Sequence, residues 1–564
     1  MASNDNASFS PPLDRVPGDV LIEIATYLPC PAEILHLCLV SPQVLQYVIP
    51  VLYSHVTLRG VEQCCTTLEM LFNNPERARH VRTLSVSPDP VPLVPRSSRY
   101  SLEDGYKVSA AVRRAAVNLE VLQRFQWDGE ELAPNDDMWF ALRLYCTRLR
   151  YVETSLGCVQ PSPKSHLYDF SNLTGFALTF KSGFYAQHWA LSREDPVPGY
   201  KRLWEMLINR CPNLQELSFD GVSAANPVDA HRLTRGRWPH LRKLLLGDIV
   251  LDWHSAINPN VKRPFITFLE EHKQLQEIHL LGYQPSVSAP DIIRAVHREA
   301  LPRVTNFSGT LEQVQALPYK GALKALKLIE PISLRESTPL TVSGVLQELG
   351  SLKELTISFA LEHGYDNGGM LRMLVAVCPN LKHLDLTCAC KPSFTLDAFT
   401  RTIRPLCKLT SLNLRIIKSP KEESFSTCGT RLARSNPRLR TFSLNFIAPT
   451  PFPPRREAPI TNIQSASYEL VSDHHGLPSA LLVCERSRKP WYRSGGGIGG
   501  LGGGRGRDDV KRYSVEMKPN GDPEKRKSGW GGLIREQTKA GEEIRCILYC
   551  VTLAVVAVGS FTML

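Results

Sequence analysis

One short pattern, L-x-x-L-x-L with apolar substitutions, recurs along most of this chain and constrains its fold more than any other feature. From Leu323 onward the starts of the copies advance by 29, 29, 28 and 30 residues, whereas the spacings between Leu149 and Leu323 range from 19 to 41. A regular period of this length indicates stacked copies of one supersecondary unit. The clearest copies begin at Leu214, Leu241, Leu275, Leu323, Leu352, Leu381, Leu409 and Leu439, and weaker ones at Val81, Leu149, Leu173 and Val304.

The pattern predicts a short strand in each copy, with the leucines at alternate positions pointing into a shared core. A helix returns the chain between strands, and Leu371, Leu374 and Val375 have the spacing of such a helix. The sequence therefore predicts an α/β leucine-rich-repeat solenoid over residues 59–446, with insertions where the spacing is ragged. The alternative is an ordinary α/β domain with leucine-rich strands.

Stacked strands form a long concave surface that suits a protein partner better than a small molecule. Strand residues between the inward leucines would face that partner, a target protein that the sequence does not identify. The candidate target-binding residues are Lys353, Glu354, Lys382, His383, Asp385, Asn413 and Arg440.

The segment before the repeats is densely apolar with helical spacing. Pro17 and Asp19 are typical of a helix start, Pro29 and Pro31 separate a first helix from a second, and Ser41-Pro42 predicts the start of a third. Val20, Leu21, Ile24 and Leu28 are predicted to line one face of the first helix. Three short helices have a small core, so surplus apolar positions predict a partner interface. The alternative is a helical cap on the solenoid.

Residues 12–58 resemble the F-box family. Val16-Pro17 stands where the family has Leu-Pro, an apolar helix follows to Tyr27-Leu28, and LHLCLVSPQVLQYVIPVLY matches the later helices, with the ending PVLYSHVTL similar to fungal members. The resemblance implies docking onto a Skp-type adaptor and, through it, a cullin-RING ubiquitin ligase. The positions that would form or support this contact are Val16, Pro17, Val20, Leu21, Ile24, Leu28, Ile34, Leu37 and Val40.

The charge distribution gives no indication of a nucleic-acid partner. The net charge is +11, and the segment 485–545 alone carries 15 Lys and Arg against nine Asp and Glu, so the rest is nearly balanced. The 15 cysteines form no CxxC pair, which favours a reducing compartment, cytoplasmic or nuclear. The N-terminus lacks the basic start and apolar core of a signal peptide.

No motif indicates an enzyme, a metal site or a cofactor. Cys378, His383, Cys388 and Cys390 are close in sequence, but their spacing matches no common zinc pattern. The glycines of Ser494–Arg507 lack the Gly-Lys-Ser/Thr of a phosphate-binding loop.

The C-terminal part has a different composition from the repeats. Residues 1–11 are predicted to be loose, 447–493 a Pro-containing linker with a small segment that includes strands, and 494–545 a Gly-rich basic flexible region. Residues 546–564 carry no charge and are long enough for a helix of about 28 Å at ~1.5 Å per residue, which predicts a membrane anchor facing the cytosol. The alternative is a helix buried against the rest of the chain.

These observations lead to one main hypothesis and two alternatives. The main hypothesis is a non-enzymatic substrate receptor of a Skp-cullin-F-box ubiquitin ligase. The alternatives are a membrane-tethered leucine-rich-repeat scaffold with no ubiquitin role, and an enzyme in the segment after Ile463.

Overall fold

A computed structural model gives the architecture of the chain. By internal contacts the chain divides into unit 1, residues 1–308 with 316–319, and unit 2, residues 309–315 with 320–564. The structure describes residues 12–28, 30–89, 102–159, 161–181, 183–184, 198–221, 228–251, 262–282, 296–297, 299–333, 338–361, 368–390, 394–417, 424–448, 462–472, 478–487 and 509–517.

Unit 1 begins with three short helices, called the hook. They are α1 (Gly18–Tyr27), α2 (Pro31–Cys38) and α3 (Pro42–Ser54), preceded by a 3-10 turn at Pro12–Arg15. Proline occupies the first position of α2 and α3, where its missing N–H has no helical partner to lose. The Ser41 hydroxyl caps α3 by accepting from the Val44 amide at 3.2 Å, so the Ser41-Pro42 prediction is confirmed.

The hook has a core of its own. Five buried residues form it, and further apolar side chains from the same helices pack around them. The buried five are Leu21, Ala25, Cys38, Val44 and Val48, and the surrounding residues are Leu13, Val16, Ile34, Leu37, Val51 and Leu52.

The rest of unit 1 is built on a sheet of parallel strands. Neighbours pair in the order β1-β2-β3-β4-β5-β6-β8-β10-β11. Their bounds are β1 His55–Arg59, β2 Thr83–Ser87, β3 Arg124–Trp127, β4 Tyr151–Leu156, β5 Gly175–Phe180, β6 Glu216–Gly221, β8 Lys243–Leu246, β10 Glu277–Leu280 and β11 Asn306–Gly309; β7 Val228–Asp229 and β9 Ile249–Val250 form a separate pair.

The helices that connect these strands lie on the face of the sheet where every second strand residue is buried. Trp127, Trp139 and Phe125 are among the largest fully buried side chains there, with the Phe125 and Trp139 rings edge to face at 5.7 Å. The helices are Val61–Asn73, Pro75–Ala78, Leu102–Ala115, Asp137–Tyr145, Pro198–Glu205 with a π turn at Met206–Arg210, and Pro264–Glu271, with 3-10 turns at Ala116–Asn118, His166–Asp169 and His231–Arg235.

Unit 2 contains the regular repeats. Its strands pair in parallel from β12 or β13 through β14, β15 and β16 to β17, and then antiparallel through β18, β19 and β20. The bounds are β12 Ala325–Leu328, β13 Ile332–Ser333, β14 Glu354–Leu361, β15 His383–Cys390, β16 Ser411–Ile417, β17 Thr441–Ile447, β18 Asn462–Ser472, β19 Pro478–Ser487 and β20 Asp509–Glu516.

The connecting helices of unit 2 begin in a repeated way. Hydroxyls of Thr338, Thr395 and Ser424 each accept a hydrogen bond from the amide three residues later and so cap the helix that follows. The helices are Pro339–Gln347, Gly369–Val377, Leu396–Thr402 and Phe425–Ser435; a short α-helix, Leu311–Ala316, and a 3-10 helix, Lys320–Ala322, precede β12.

The repeat prediction is confirmed: the described residues form the mixed α/β arrangement with parallel strands that is typical of a leucine-rich-repeat solenoid. Each of the twelve predicted copies, from Val81 to Leu439, is followed by a strand that begins two residues later. Among the described strands, six were not predicted: β1, β3, β7, β9, β13 and β20. β3 follows the copy LQRFQW at Leu122, where Phe and Trp replace the later leucines, and β1 begins inside the segment 12–58 that was assigned to the helical hook.

Two C-terminal predictions have different outcomes. The small segment that was predicted to include strands forms β18 and β19, and β18 pairs with β17 and so continues the sheet of unit 2. Residues Asp509–Glu516, predicted to be flexible, form β20 because their alternating apolar residues, such as the buried Val515, pair with β19. The predicted linker prolines at 449–459, the glycines at 494–507 and the apolar tail at 546–564 lie outside the described residues.

Within the part of the chain that the structure describes, no helix is both long and apolar enough to cross a membrane.

Candidate protein-binding surfaces

The first helix of the hook exposes a stripe of large apolar side chains. Val20 is 43% exposed, Ile24 42% and Tyr27 78%, and their spacing of four and three residues places them on one side of α1. Leu21 and Ala25, one residue further along, are buried in the hook core. The prediction that Val20, Leu21 and Ile24 share one face is therefore wrong: at ~100° per residue two adjacent faces result, one inside and one outside.

Other exposed apolar residues of the hook lie beyond α1. Leu39 and Val40 follow α2, while Leu45 and Tyr47 lie on α3, and all four are exposed. The Tyr47 ring lies directly against Gly18, where a Cβ would overlap it, so this tyrosine is held across the start of α1. A small unit that buries five residues thus leaves eight large apolar side chains in contact with solvent: Val20, Ile22, Ile24, Tyr27, Leu39, Val40, Leu45 and Tyr47.

The nine predicted adaptor-contact residues divide into two groups. Pro17, Val20, Ile24 and Val40 are exposed, whereas Leu21 lies in the hook core. The remaining four are partly buried: Val16, Leu28, Ile34 and Leu37, of which all but Leu28 pack on that core. Four of the nine are thus exposed to solvent, and the other five are partly or fully covered.

The hook joins the solenoid without a linker. The last residue of α3 is Ser54 and the first of β1 is His55, and the Ser54 carbonyl accepts from the Arg82 amide at 3.0 Å. The helix thus continues directly into the first strand of the parallel sheet in unit 1.

The predicted target-binding residues all lie on or next to the strands of unit 2. Lys353, Glu354, Lys382, His383 and Arg440 are exposed at the strand starts. Asp385 and Asn413 lie further along β15 and β16 and are partly buried. Glu354, His383, Asp385 and Asn413 alternate with the buried leucines of their strands and so lie on the opposite face, which is called the open face below.

Asp385 and Asn413 belong to a polar ladder across β15, β16 and β17. Asn413 donates to Asp385 at 2.9 Å, Arg415 Nη1 donates to the other Asp385 oxygen at 3.0 Å, and Ser443 donates to Asn413 Oδ1 at 2.6 Å. Asn445 also donates to Asn413 Oδ1, at 3.0 Å. Sequence reasoning placed Asp385, Asn413 and Ser443 between the inward leucines and missed Arg415 and Asn445. Only the strand register shows that the five side chains are neighbours.

The open face of unit 1 contains none of the candidate target-binding residues that the sequence predicted. Arg124 on β3 lies over the Tyr151 ring, with its guanidinium carbon 3.6 Å from the ring centroid, and its Nη2 is 3.3 Å from Glu216 Oε2. Gln126 donates to Glu153 at 3.0 Å, and Tyr151 donates to the other Glu153 oxygen at 3.4 Å. The signal that could have revealed this face was the LQRFQW copy, which places Arg124 and Gln126 outward between Phe125 and Trp127.

A cavity of about 200 Å³ opens on this face across β4, β5, β6 and β8. Its floor includes Ala177, which lies in register between Glu153 on β4 and Ser218 on β6. Burial raises the pKa of the Glu153 carboxyl, against the lowering effect of the Tyr151 hydrogen bond and the Arg124 charge. The lining residues are Tyr151, Glu153, Ala177, Thr179, Glu216, Leu217, Ser218, Asp220, Lys243 and Leu245.

The cysteine and histidine cluster near residue 380 has no features of a metal site. Cys378 is buried, and burial raises the pKa of its thiol to about 12, so the thiolate that a metal needs is disfavoured. His383 is exposed at the start of β15. Among the residues that the structure describes, no group of three or more His, Cys, Asp or Glu has a geometry that would hold an ion.

Comparison with known proteins gives only distant similarities. No family model and no curated relative matches the sequence. Among solved structures, the yeast Rad7 and Elc1 complex is similar at 14% identity with a TM-score of 0.30, over 65% of this chain and 86% of that one.

Two further structures show similarity of the same order. The leucine-rich-repeat-containing protein LegL7 from Legionella pneumophila is 11% identical with a TM-score of 0.27, over 59% of this chain and 94% of that one. The Toll–Spatzle complex of Drosophila is 12% identical with a TM-score of 0.24, and the match spans 64% of this chain and half (50%) of that one. At such scores the functional argument rests on this chain's own residues.

Proposed function

We propose that this chain is a substrate-recognition adaptor of a cullin-RING ubiquitin ligase. The hook docks as an F-box onto a Skp-type adaptor, and the open faces of the solenoid hold a target protein. The ligase chemistry comes from the partners, and this chain contributes proximity.

The observation that carries the proposal is the exposed stripe Val20, Ile24 and Tyr27 on a helix whose other face is already packed. Contiguous exposed apolar side chains on a small soluble unit are typical of an interface, since water contact with them is unfavourable. In α1 one face is buried in the hook core, and the adjacent apolar face is exposed. The exposed residues have the spacing i, i+4 and i+7, which is typical of helices that bind in a hydrophobic groove of a partner.

The direct connection from Ser54 to His55 gives further support. A substrate receptor has to hold its target at a defined place relative to the docked ligase, and an unbroken helix-to-strand junction suits that task. The polar and charged open faces are suited to a protein ligand.

The test is association of the full chain with a purified Skp-type adaptor. The double variant Val20→Asp/Ile24→Asp places two charges in the stripe and leaves the hook core intact, so we expect binding to weaken by at least about 30-fold, the loss typical of an interface hot spot. Leu21→Asp is unsuitable, because Leu21 is 1% exposed and a buried charge would unfold the hook.

The matched control is Ile22→Asp. Ile22 is 38% exposed on the same helix, but at ~100° per residue it points well away from the stripe. We expect it to bind the adaptor like the unmodified chain. Full binding by the double variant would exclude docking through the stripe, and an equal loss in Ile22→Asp would indicate a general effect on α1.

A further inference from the structure

The cavity on the open face of unit 1 is formed by small residues on β5. Gly175, Ala177 and Thr179 follow one another on this face. Gly175 and Ala177 lie in register with larger residues on both β4 and β6, and Thr179 with the larger Asp220 on β6. The Tyr151 ring covers Gly175, where a Cβ would overlap it. The small side chain of Ala177 lines the cavity between Glu153 on β4 and Ser218 on β6.

Carboxylates stand on both sides of that space. Glu153 lies on β4 beside Ala177, and Asp220 lies on β6 beside Thr179. Because neighbouring strands are ~4.8 Å apart, the backbones of β4 and β6 are about 10 Å apart, which leaves room for one side chain over β5.

The cations of this face are already engaged elsewhere. Arg124 pairs with Glu216, and Lys243 Nζ is 3.3 Å from Glu277 on β10. Within the described residues, no Lys or Arg forms an ion pair with Glu153 or Asp220. Glu153 is nevertheless partly buried, and desolvation disfavours its charged form. Hydrogen bonds from Gln126 and Tyr151 and the Arg124 charge offset part of this cost, and a cation placed over Ala177 would offset more of it.

The geometry points to a binding pocket for an arginine side chain of a partner protein, inserted over Ala177 between Glu153 and Asp220. Calling that partner a ligase target rests on the proposed function, whereas the pocket itself does not. Arginine fits better than lysine, because its planar guanidinium has five donors and the pocket offers acceptors on several sides: two carboxylates and the hydroxyls of Thr179 and Ser218. The stacking of Arg124 on Tyr151 shows that this face accommodates a guanidinium.

The experiment measures binding of a fluorescein-labelled hexa-arginine peptide to the full chain by fluorescence polarisation. Hexa-citrulline, which has the same shape without charge, and hexa-lysine are the matched ligands. The protein variants are Glu153→Gln, which removes the charge, and Ala177→Leu, which fills the cavity without changing any charge. Glu354→Gln on the open face of unit 2 is the control.

We expect Glu153→Gln and Ala177→Leu each to weaken hexa-arginine binding by at least about tenfold, the loss of one charge-assisted contact set. Glu354→Gln should bind hexa-arginine as tightly as the unmodified chain does. Hexa-citrulline should bind neither of these two proteins. Unchanged affinity in Ala177→Leu would overturn the proposal, because diffuse charge attraction does not need the cavity. Equal affinity for hexa-lysine would overturn the preference for arginine.

The outcome is separable from that of the adaptor test. Val20→Asp/Ile24→Asp should bind hexa-arginine normally, and Glu153→Gln should bind the Skp-type adaptor normally. Loss of peptide binding in Glu153→Gln with adaptor binding intact would support the pocket, whatever the result of the adaptor test. Adaptor binding by Val20→Asp/Ile24→Asp at full strength would overturn the docking proposal and leave the pocket unaffected. Circular dichroism of Ala177→Leu, together with its adaptor binding, shows whether the chain is folded.

Discussion

In the strands of unit 2, the alternate apolar residues Leu384, Leu386, Leu412 and Leu414 are buried almost completely, and the opposite face is polar. In α1 of the hook, apolar residues occupy both faces, and only one of those faces is covered. The difference teaches where function can be sought in each region. In the solenoid strands the apolar residues are used up in the core and the exposed face is polar, whereas the hook leaves apolar residues exposed, and the proposed adaptor contact depends on those.

The largest expected effect is a cavity in the solenoid core. Leu414→Ala removes a fully buried side chain of β16 and should lower the local free energy of unfolding by about 2–5 kcal/mol, through lost burial and an unfilled space. Native-state hydrogen exchange of peptides from β15 to β17 measures it. Lys382→Ala, on an exposed side chain, should change the same quantity by less than about 0.5 kcal/mol. A small loss for Leu414→Ala would mean that this core is not closely packed.

A smaller effect tests how the antiparallel strand β18 packs against the last described helix of unit 2. A Cβ at Gly429, in the helix Phe425–Ser435, would overlap the ring of Tyr468 on β18, so Gly429→Ala should destabilise by about 1–3 kcal/mol. Gly344 lies in the helix Pro339–Gln347 with nothing near its Cβ position, so Gly344→Ala should instead stabilise by about 0.5–1 kcal/mol. Thermal unfolding of both variants gives the signs, and equal signs would contradict the packing of Tyr468 on this helix.

The smallest effect concerns the hook stripe. Ile24→Ala truncates an exposed side chain, so the stability of the hook should change by less than about 0.5 kcal/mol, even though adaptor binding is expected to depend on this position. Hydrogen exchange of α1 peptides measures it. A loss as large as that of Leu414→Ala would break the comparison, because Ile24 would then be part of the packing of the fold.

The sequence predicted the repeats well because their signal is local. The first apolar residue of each copy, such as Leu352 or Leu381, lies two residues before its strand and is itself buried. β3 was missed because Phe125 and Trp127 take the places of leucines, and the core accepts aromatic residues there as readily. For the binding surfaces prediction was poorer: the Asp385 ladder was found only in part, and the Glu153 cavity was not found.

The sequence by itself determined where strands and helices begin, since leucine spacing, Ser and Thr caps and prolines act over a few residues. Only the tertiary structure decided which face of α1 is covered, because Leu21 and Val20 are equally apolar and the choice depends on the approach of α3. The tertiary structure also decided that Glu153, Ala177 and Asp220 line one cavity, because the register of parallel strands brings together residues that are far apart in the chain.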